Sequence, residues 1–267
     1  MPPTSPILNV MTKAAFKTAR SLLRDFGEVE NLQVSLKGPS DFVTSADLQA
    51  EKILHQELSR ARPKFGFLME ESGEAKGADP DNRWVVDPLD GTINFMHAIP
   101  HFAISIAHEY KGAVVAGVVY DPLRDEMFAA EKGMGAYCND RRLRISARKD
   151  LADSVLATSL PSRGRKREAA YLAQLETVMD QCAGVRRFGS AALDLAYVAA
   201  GRYEGFWETG LSRWDIAAGL LIVREAGGHV SEFDGRTNML ESGNILATNG
   251  HLHESLSVLL QMAARSA

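Results

Sequence analysis

The chain has 267 residues, 45% of them hydrophobic, with 30 Lys and Arg against 34 Asp and Glu and a formal net charge of −4. That supplies a substantial core, while so balanced a charge excludes general attraction to nucleic acid or an anionic membrane, and any anionic ligand must be captured locally. Cys138 and Cys182 are too few for a disulfide framework and stand in no zinc-ligand spacing, and no run approaches the ~18 uninterrupted apolar residues of a membrane span. Both cysteines read as buried thiols of a cytoplasmic protein.

Ile7, Leu8, Met11, Ala15, Ala19, Leu22, Leu23 and Phe26 recur at helical spacing, so the start reads as an amphipathic helix rather than a basic targeting peptide. Lys37-Gly38-Pro39-Ser40 predicts a turn, and Thr44–Leu58 a second helix. From Phe65 the pattern turns to strands at Phe65–Met69, Trp84–Val86, Phe102–His108 and Ala113–Tyr120, with turns at Lys111-Gly112 and Asp121-Pro122. A second segment opens near Leu151, with a strand at Val155–Ala157, helices at Glu168–Cys182 and Ser190–Ala200, and a strand at Tyr203–Trp207. A helix at Trp214–Ala226 closed by Gly227-Gly228, a strand at His229–Phe233 and a helix at Leu252–Ala264 complete the chain. Helices grouped in runs rather than strictly alternating with strands predict a layered α+β or α/β sandwich, without a GxGxxG or Walker loop. It is expected to be one domain over 1–267, with approximate halves 1–150 and 151–267.

Four acidic elements carry the chemistry. Asp87-Pro88-Leu89-Asp90-Gly91-Thr92 directly follows an apolar strand; Pro88 fixes φ and Gly91 permits a tight reversal, so Asp87, Asp90 and the Leu89 carbonyl can converge as hard ligands suited to Mg2+. By itself the same hexapeptide is ordinary turn chemistry. Glu70-Glu71-Ser72-Gly73 ends another apolar run and reads either as a ligand source or as a solvated turn. Asp215, after Trp214 in the first turn of a helix, is a ligand or a helix-dipole partner. Asp47, three residues after Thr44 and followed by Glu51, also imitates a capping box.

Taken in order and spacing, these four elements resemble the inositol monophosphatase family, whose pattern is an acidic helix start, a Glu pair, Asp-Pro-Ile/Leu-Asp-Gly-Thr and a distant Trp-Asp-x-Ala-Ala. The likeness continues through Gly189-Ser190-Ala191-Ala192 and Arg202–Gly210. It implies a magnesium-dependent phosphomonoesterase acting on inositol 1-phosphate or a similar polyol monophosphate. Glu70, Asp87 and the Leu89 carbonyl would hold one Mg2+, Asp87, Asp90 and Asp215 a second, and a weaker third would lie near Glu70. The resemblance makes Thr92 and Asp47 the pair that activates the attacking water, assigns phosphate to Gly91 and Thr92 at a helix start, and turns Gly189, Ser190, Ala191, Glu208 and Asp215 toward the substrate. It also implies lithium sensitivity and a homodimer. Met69 departs from the glycine many members place before the Glu pair, and Arg213 occupies a variable position whose role is open.

Other signals are weaker. His97 and His101 are spaced i, i+4, but Pro100 between them disfavours a shared helical face for zinc. The basic runs Arg163–Arg167 and Arg186-Arg187 lack interleaved aromatics and read as solvated segments before they read as nucleic-acid contacts. The rivals to inositol phosphate are fructose 1,6-bisphosphate, histidinol phosphate or a phosphonucleotide, and, from another class, a transcription-related regulatory role on the same fold.

Overall fold

A computed structural model of the chain describes residues 5–29, 34–38, 41–160 and 169–265. The basic segment Arg163–Arg167 and part of the turn expected at Lys37–Ser40 lie outside these residues.

Ser5 accepts the Leu8 N–H at 3.1 Å and Pro6 occupies the first turn, which starts helix α1 (Pro6–Phe26). Its buried stripe includes Leu8, Met11, Ala15, Ala19 and Leu22, whereas Leu23 is turned toward solvent. Strands β1 (Val34–Gly38) and β2 (Asp41–Thr44) form an antiparallel pair that delivers Thr44 as the cap of α2 (Ser45–Ala61).

The next strands are β3 (Phe65–Met69), β4 (Gly73–Ala75) and β5 (Asp79–Asp90), followed by the short helix α3 (Thr92–Met96). Then come β6 (Ala103–Tyr110), β7 (Ala113–Asp121), β8 (Glu126–Glu131), β9 (Gly135–Cys138) and β10 (Arg141–Arg142). They form an eight-stranded sheet in the order β10-β9-β8-β7-β6-β5-β3-β4. Within it β3 and β5 run parallel and the other pairs antiparallel.

The remaining chain gives β11 (Val155–Thr158), α4 (Ala169–Met179), β12 (Gly184–Arg186), α5 (Ala191–Ala199) and β13 (Gly205–Glu208). It ends with α6 (Arg213–Glu225), β14 (His229–Ser231), α7 (Met239–Ser242), β15 (Ile245–Thr248) and α8 (His253–Arg265). These strands make a five-stranded mixed sheet ordered β12-β11-β13-β15-β14.

Burial follows the two-residue period of each strand and explains the layering. On β5, Trp84 and Val86 enter the core beneath α1 and α2, whereas Val85 enters the core shared with α5 and α6. Ile104 and Ile106 against Ala103 and Ala107 repeat the split on β6. A sheet covered on both faces needs apolar residues on both, which is why its central strands read as continuous apolar runs. Helices α4 and α8 cover the far face of the smaller sheet around Trp207, Leu246 and Leu256. The result is a helix, sheet, helix, sheet, helix sandwich.

Helix α6 seats unusually close to the large sheet. A Cβ on Gly117 of β7 would stand 2.9 Å from the Ala218 carbonyl oxygen, and one on Gly219 would stand 2.6 Å from Leu195 of α5.

Several expectations are corrected. The strand predicted at Trp84–Val86 extends to Asp90 and carries the acidic motif itself. The helix expected to reach Cys182 stops at Met179, because Ala183 N–H bonds Ser154 O at 3.0 Å and draws the chain into β12. The strand expected from Tyr203 begins at Gly205, since Arg202 N–H still closes α5 on Tyr197 O at 2.9 Å. Cys138 and Cys182 are half-buried rather than buried. Among the described residues no helix is long and apolar enough to cross a membrane.

Candidate active site

Asp90 follows Asp87 by three positions, an odd step that would put the two acids on opposite faces of a regular strand. The pairing instead sets Asp87 opposite Ser105 and Asp90 opposite Ala103, so β5 carries one extra residue there. This bulge returns both acids to the same face, the one toward α6. Asp87 Oδ1 accepts the Leu89 N–H at 2.9 Å, which braces the bulge from within. Gly91 then turns the chain at φ 101°, where a Cβ would meet the His101 carbonyl oxygen at 3.1 Å.

Thr92 Oγ1 lies 3.0 Å from Asp47 Oδ1 and 3.1 Å from the Leu89 carbonyl oxygen, so its single proton has two acceptors. Asp47 is fully buried, and its Oδ2 accepts the Thr44 N–H at 2.8 Å and the Thr44 hydroxyl. The capping reading and the site reading of Asp47 therefore hold together: one oxygen caps α2, the other meets Thr92.

The other acids converge from separate elements. Glu70 follows β3, and its N–H bonds Val86 O at 3.2 Å, extending the parallel pairing beside Asp87. Glu71 N–H is held by Glu51 Oε2 at 2.8 Å. Asp90 Oδ2 accepts the Ser190 hydroxyl at 2.5 Å and the Ala192 N–H at 2.8 Å, which ties the first acid motif to the start of α5. Asp215 Oδ2 accepts the Ser212 N–H at 2.7 Å and so caps α6. The preceding Trp214 carbonyl accepts the Ser105 hydroxyl at 3.3 Å.

Charge crowding is visible in the carboxyl pKa values. Burial raises Asp87 well above the usual carboxylate range, the charges of Glu70, Asp90 and Asp215 raise it further, and Asp87 shares a side-chain hydrogen bond with Glu70. Asp215 is raised by burial and then by Asp90, with Glu70 and Glu208 adding to it. Burial lifts Asp90 to about 6 against the opposing bonds from Ser190 and Ala192. Asp47 is raised by burial despite the hydrogen bonds of Thr44 and Thr92.

Among the described residues, no three His, Cys, Asp or Glu side chains are already drawn into a ligating cluster; Asp87, Asp90 and Asp215 hold protein donors instead. The donor chemistry nevertheless fits a hard divalent cation: carboxylate oxygens crowded enough to resist ionisation, beside a backbone carbonyl, gain most from added positive charge.

In the second half of the chain, Gly189 adopts φ 84° and leads into Ser190 and Ala191 at the start of α5, and half-buried Glu208 ends β13. Other contributors escape sequence reading. Arg213 Nη1 bonds Glu109 Oε1 at 2.9 Å and also pairs with Glu241, while Glu109, almost wholly buried, pairs with Arg83 of β5. Arg213, whose role the sequence leaves open, thus pins the start of α6 to the strands carrying the acids. Asn94 is buried and donates to the carbonyls of His101 and Phe188, which lie in different halves of the chain. Its place three residues after Gly91 in the acidic motif is the one available signal; Glu109 gives none beyond a charge inside an apolar run. His97 is exposed and His101 buried, with burial lowering His101 to about 4, so the two do not form a zinc pair.

A layered α+β sandwich whose bulged strand and helix start bring four acids together beside a threonine defines a carboxylate-rich site suited to hard cations. The chain belongs to the inositol monophosphatase family, whose model matches residues 4–264. It is 58% identical over 252 residues to an inositol-1-monophosphatase of Mesorhizobium japonicum, covering 94% of this chain and 95% of that one. It is 46% identical over 244 residues to the Nus factor SuhB of Escherichia coli K12, covering 91% of each. The crystal structure of the extragenic suppressor protein suhB from Bartonella henselae superposes with a TM-score of 0.94 at 57% identity, covering 96% of this chain and 99% of that one.

Proposed function

We propose that this chain is a Mg2+-dependent phosphomonoesterase that hydrolyses inositol 1-phosphate or a similar small polyol monophosphate. The observation that carries the reading is the meeting of Glu70, Asp87, Asp90 and Asp215 beside the hydrogen-bonded Thr92 and Asp47. Glu70, Asp87 and the Leu89 carbonyl would hold one Mg2+, Asp87, Asp90 and Asp215 a second, and a weaker third would sit near Glu70. Bound magnesium acidifies water, neutralises phosphate charge and stabilises the departing alkoxide.

The residues do the rest. With its proton directed to Asp47 Oδ1, the Thr92 hydroxyl presents its lone pairs to a water and orients it for in-line attack. Burial favours protonation of Asp47, which suits it to receive the proton passed through Thr92. The helix expected to bind phosphate is only five residues long, so the contribution falls to the local N–H groups of Gly91 and Thr92 rather than to a long dipole. Gly189, Ser190 and Ala191 line the alcohol side, with Glu208 accepting its hydroxyls.

Lithium sensitivity, a cytoplasmic homodimer and a transcription-related second role, the last supported by the similarity to a Nus factor, belong to the same family-based reading. The deciding test is phosphate release from polyol, sugar, amino-alcohol and nucleotide phosphates with Mg2+ and with excess chelator. Preference for a polyol phosphate and silence in chelator are expected; full activity in chelator, or preference for another class, overturns the reading.

A further inference from the structure

Asn94 lies on α3, and its side chain is 4% exposed. Its Nδ2 stands 2.8 Å from the His101 carbonyl oxygen and 2.7 Å from that of Phe188, with the Gly189 carbonyl oxygen at 3.5 Å. A primary amide carries two hydrogens. One serves His101, beside the Gly91 turn, and the other serves Phe188 in the opposite half, with Gly189 at its margin. Gly189 packs directly on this amide: a Cβ there would come within 3.4 Å of Asn94 Nδ2. Just beyond, Ser190 and Ala192 bond Asp90 Oδ2. The Phe188–Ala192 segment is therefore fastened to the phosphate turn at two points, by Asn94 at its start and Asp90 at its end.

Building on the phosphatase reading, we propose that Asn94 is a specificity-determining positioning residue that sets the span between the Gly91-Thr92 turn and the wall formed by Gly189, Ser190 and Ala191. The Asp90 fastening belongs to an acid already committed to the cation site. Asn94 has no such duty, and its amide nitrogen holds carbonyls together across the cleft. A fixed span selects bulky cyclic polyols, which reach both sides at once; a flat aryl phosphate, using the phosphate end alone, is indifferent to it. No other side chain of this size offers two N–H donors from one neutral atom: the change N94D would turn an oxygen toward two carbonyl oxygens, and N94A would leave both without a donor.

The test compares wild type with N94A and N94D, measuring kcat/KM for inositol 1-phosphate and for p-nitrophenyl phosphate, Mg2+ binding by calorimetry and thermal unfolding. Loss of two buried hydrogen bonds is expected to lower the ratio of the two kcat/KM values by about tenfold, mainly through the KM of the polyol ester, with Mg2+ affinity and aryl phosphate turnover nearly unchanged. Should either variant fail to fold, the milder N94S, which keeps one hydroxyl donor in place of two N–H donors, is expected to move the ratio in the same direction by less. An unchanged ratio in a folded variant, or equal losses on both substrates, overturns the assignment. A wild-type enzyme that ignores polyol phosphates overturns the phosphatase reading itself and takes this inference with it, so the two failures are told apart by the wild-type arm.

Discussion

Helices α2 and α6 come from opposite halves of the chain and start the same way, with an acid three residues past a hydroxyl residue turning back to the helix start: Asp47 to Thr44 and Asp215 to Ser212. Their acids then diverge. Asp47 is fully buried with both oxygens engaged by hydroxyl or amide donors, whereas Asp215 spends Oδ2 on its cap and stands among Asp90, Glu70 and Glu208. On the proposed reading, a common local motif thus yields an orienting group in one place and a cation ligand in the other. What differs is the neighbour each helix start meets: a threonine hydroxyl or a set of like charges.

The sharpest way to break this comparison is to change both acids to amides. In Asp215→Asn the remaining oxygen can still cap Ser212, but the amide nitrogen is no ligand, so turnover should fall to background and calorimetric Mg2+ binding should weaken severely. In Asp47→Asn the oxygen can keep the Thr44 cap while the NH2 group faces Thr92 and reverses that hydrogen bond. Mg2+ binding should then persist while kcat falls by about 10²- to 10⁴-fold. Because the proposed mechanism makes Thr92 and Asp47 one unit, adding Thr92→Ala to Asp47→Asn should cost little more, and independent multiplication of the two losses would disprove the pair.

A second measurement sharpens the contrast through pH. Asp90, raised to about 6, and Asp87 and Asp215, each raised well above the usual carboxylate range by burial and neighbouring acids, bind protons in the folded chain that the unfolded chain releases near 4. Without metal, these acids make stability fall as pH rises through about 4 to 6 and beyond. Buried His101 and His108 and half-buried His253, each lowered to about 4, act oppositely: their contribution is full above about 6.5 and is lost toward 4. The two sets oppose each other in a simple melt, but on the proposed reading only the acids respond to metal. The Tm gain on adding Mg2+ should therefore be small at pH 5 and grow through pH 6 to 8; a gain independent of pH would remove the crowded acids from the cation site.

Smaller effects test the edges of the comparison. Glu208→Gln should change relative kcat/KM between inositol 1-phosphate and a simple aryl phosphate by about tenfold, because on the proposed reading it removes a charged hydrogen-bond partner for the alcohol and no cation ligand. Equal losses on both substrates would place Glu208 with Asp215 instead. Thr44→Ala should cost about 1 kcal/mol of stability in chemical denaturation, the usual worth of a cap, with Mg2+ affinity unaltered.

Much of this was legible in the sequence because it is local. The long helices and the strands flanking the acid motif announce themselves by periodicity, and the four acidic elements, each ordinary turn or cap chemistry alone, became legible as a set through their resemblance to a family pattern. What was hidden depends on partners far along the chain. The bulge between Asp87 and Asp90 exists only in register with Ser105 and Ala103, and the hexapeptide alone reads as a turn. Strands β8, β9, β12 and β15 have six residues or fewer and owe their pairing to neighbours rather than to alternation. The Arg83, Glu109, Arg213 and Glu241 chain joins two strands and two helices, so no window of sequence contains it.

The tight seat of α6 has a mechanical consequence. With Gly117 beneath Ala218 and Leu195 against Gly219, the helix has no slack between the sheet and α5. An acid at the tip of such a jammed rod cannot drift while the rest of the molecule stays packed. On heating, catalytic competence and the compact core should disappear in one step, so the enzyme would act as its own thermometer. A single methyl group at position 117, by wedging the rod outward, should separate the two curves and leave a folded protein that has lost its reach.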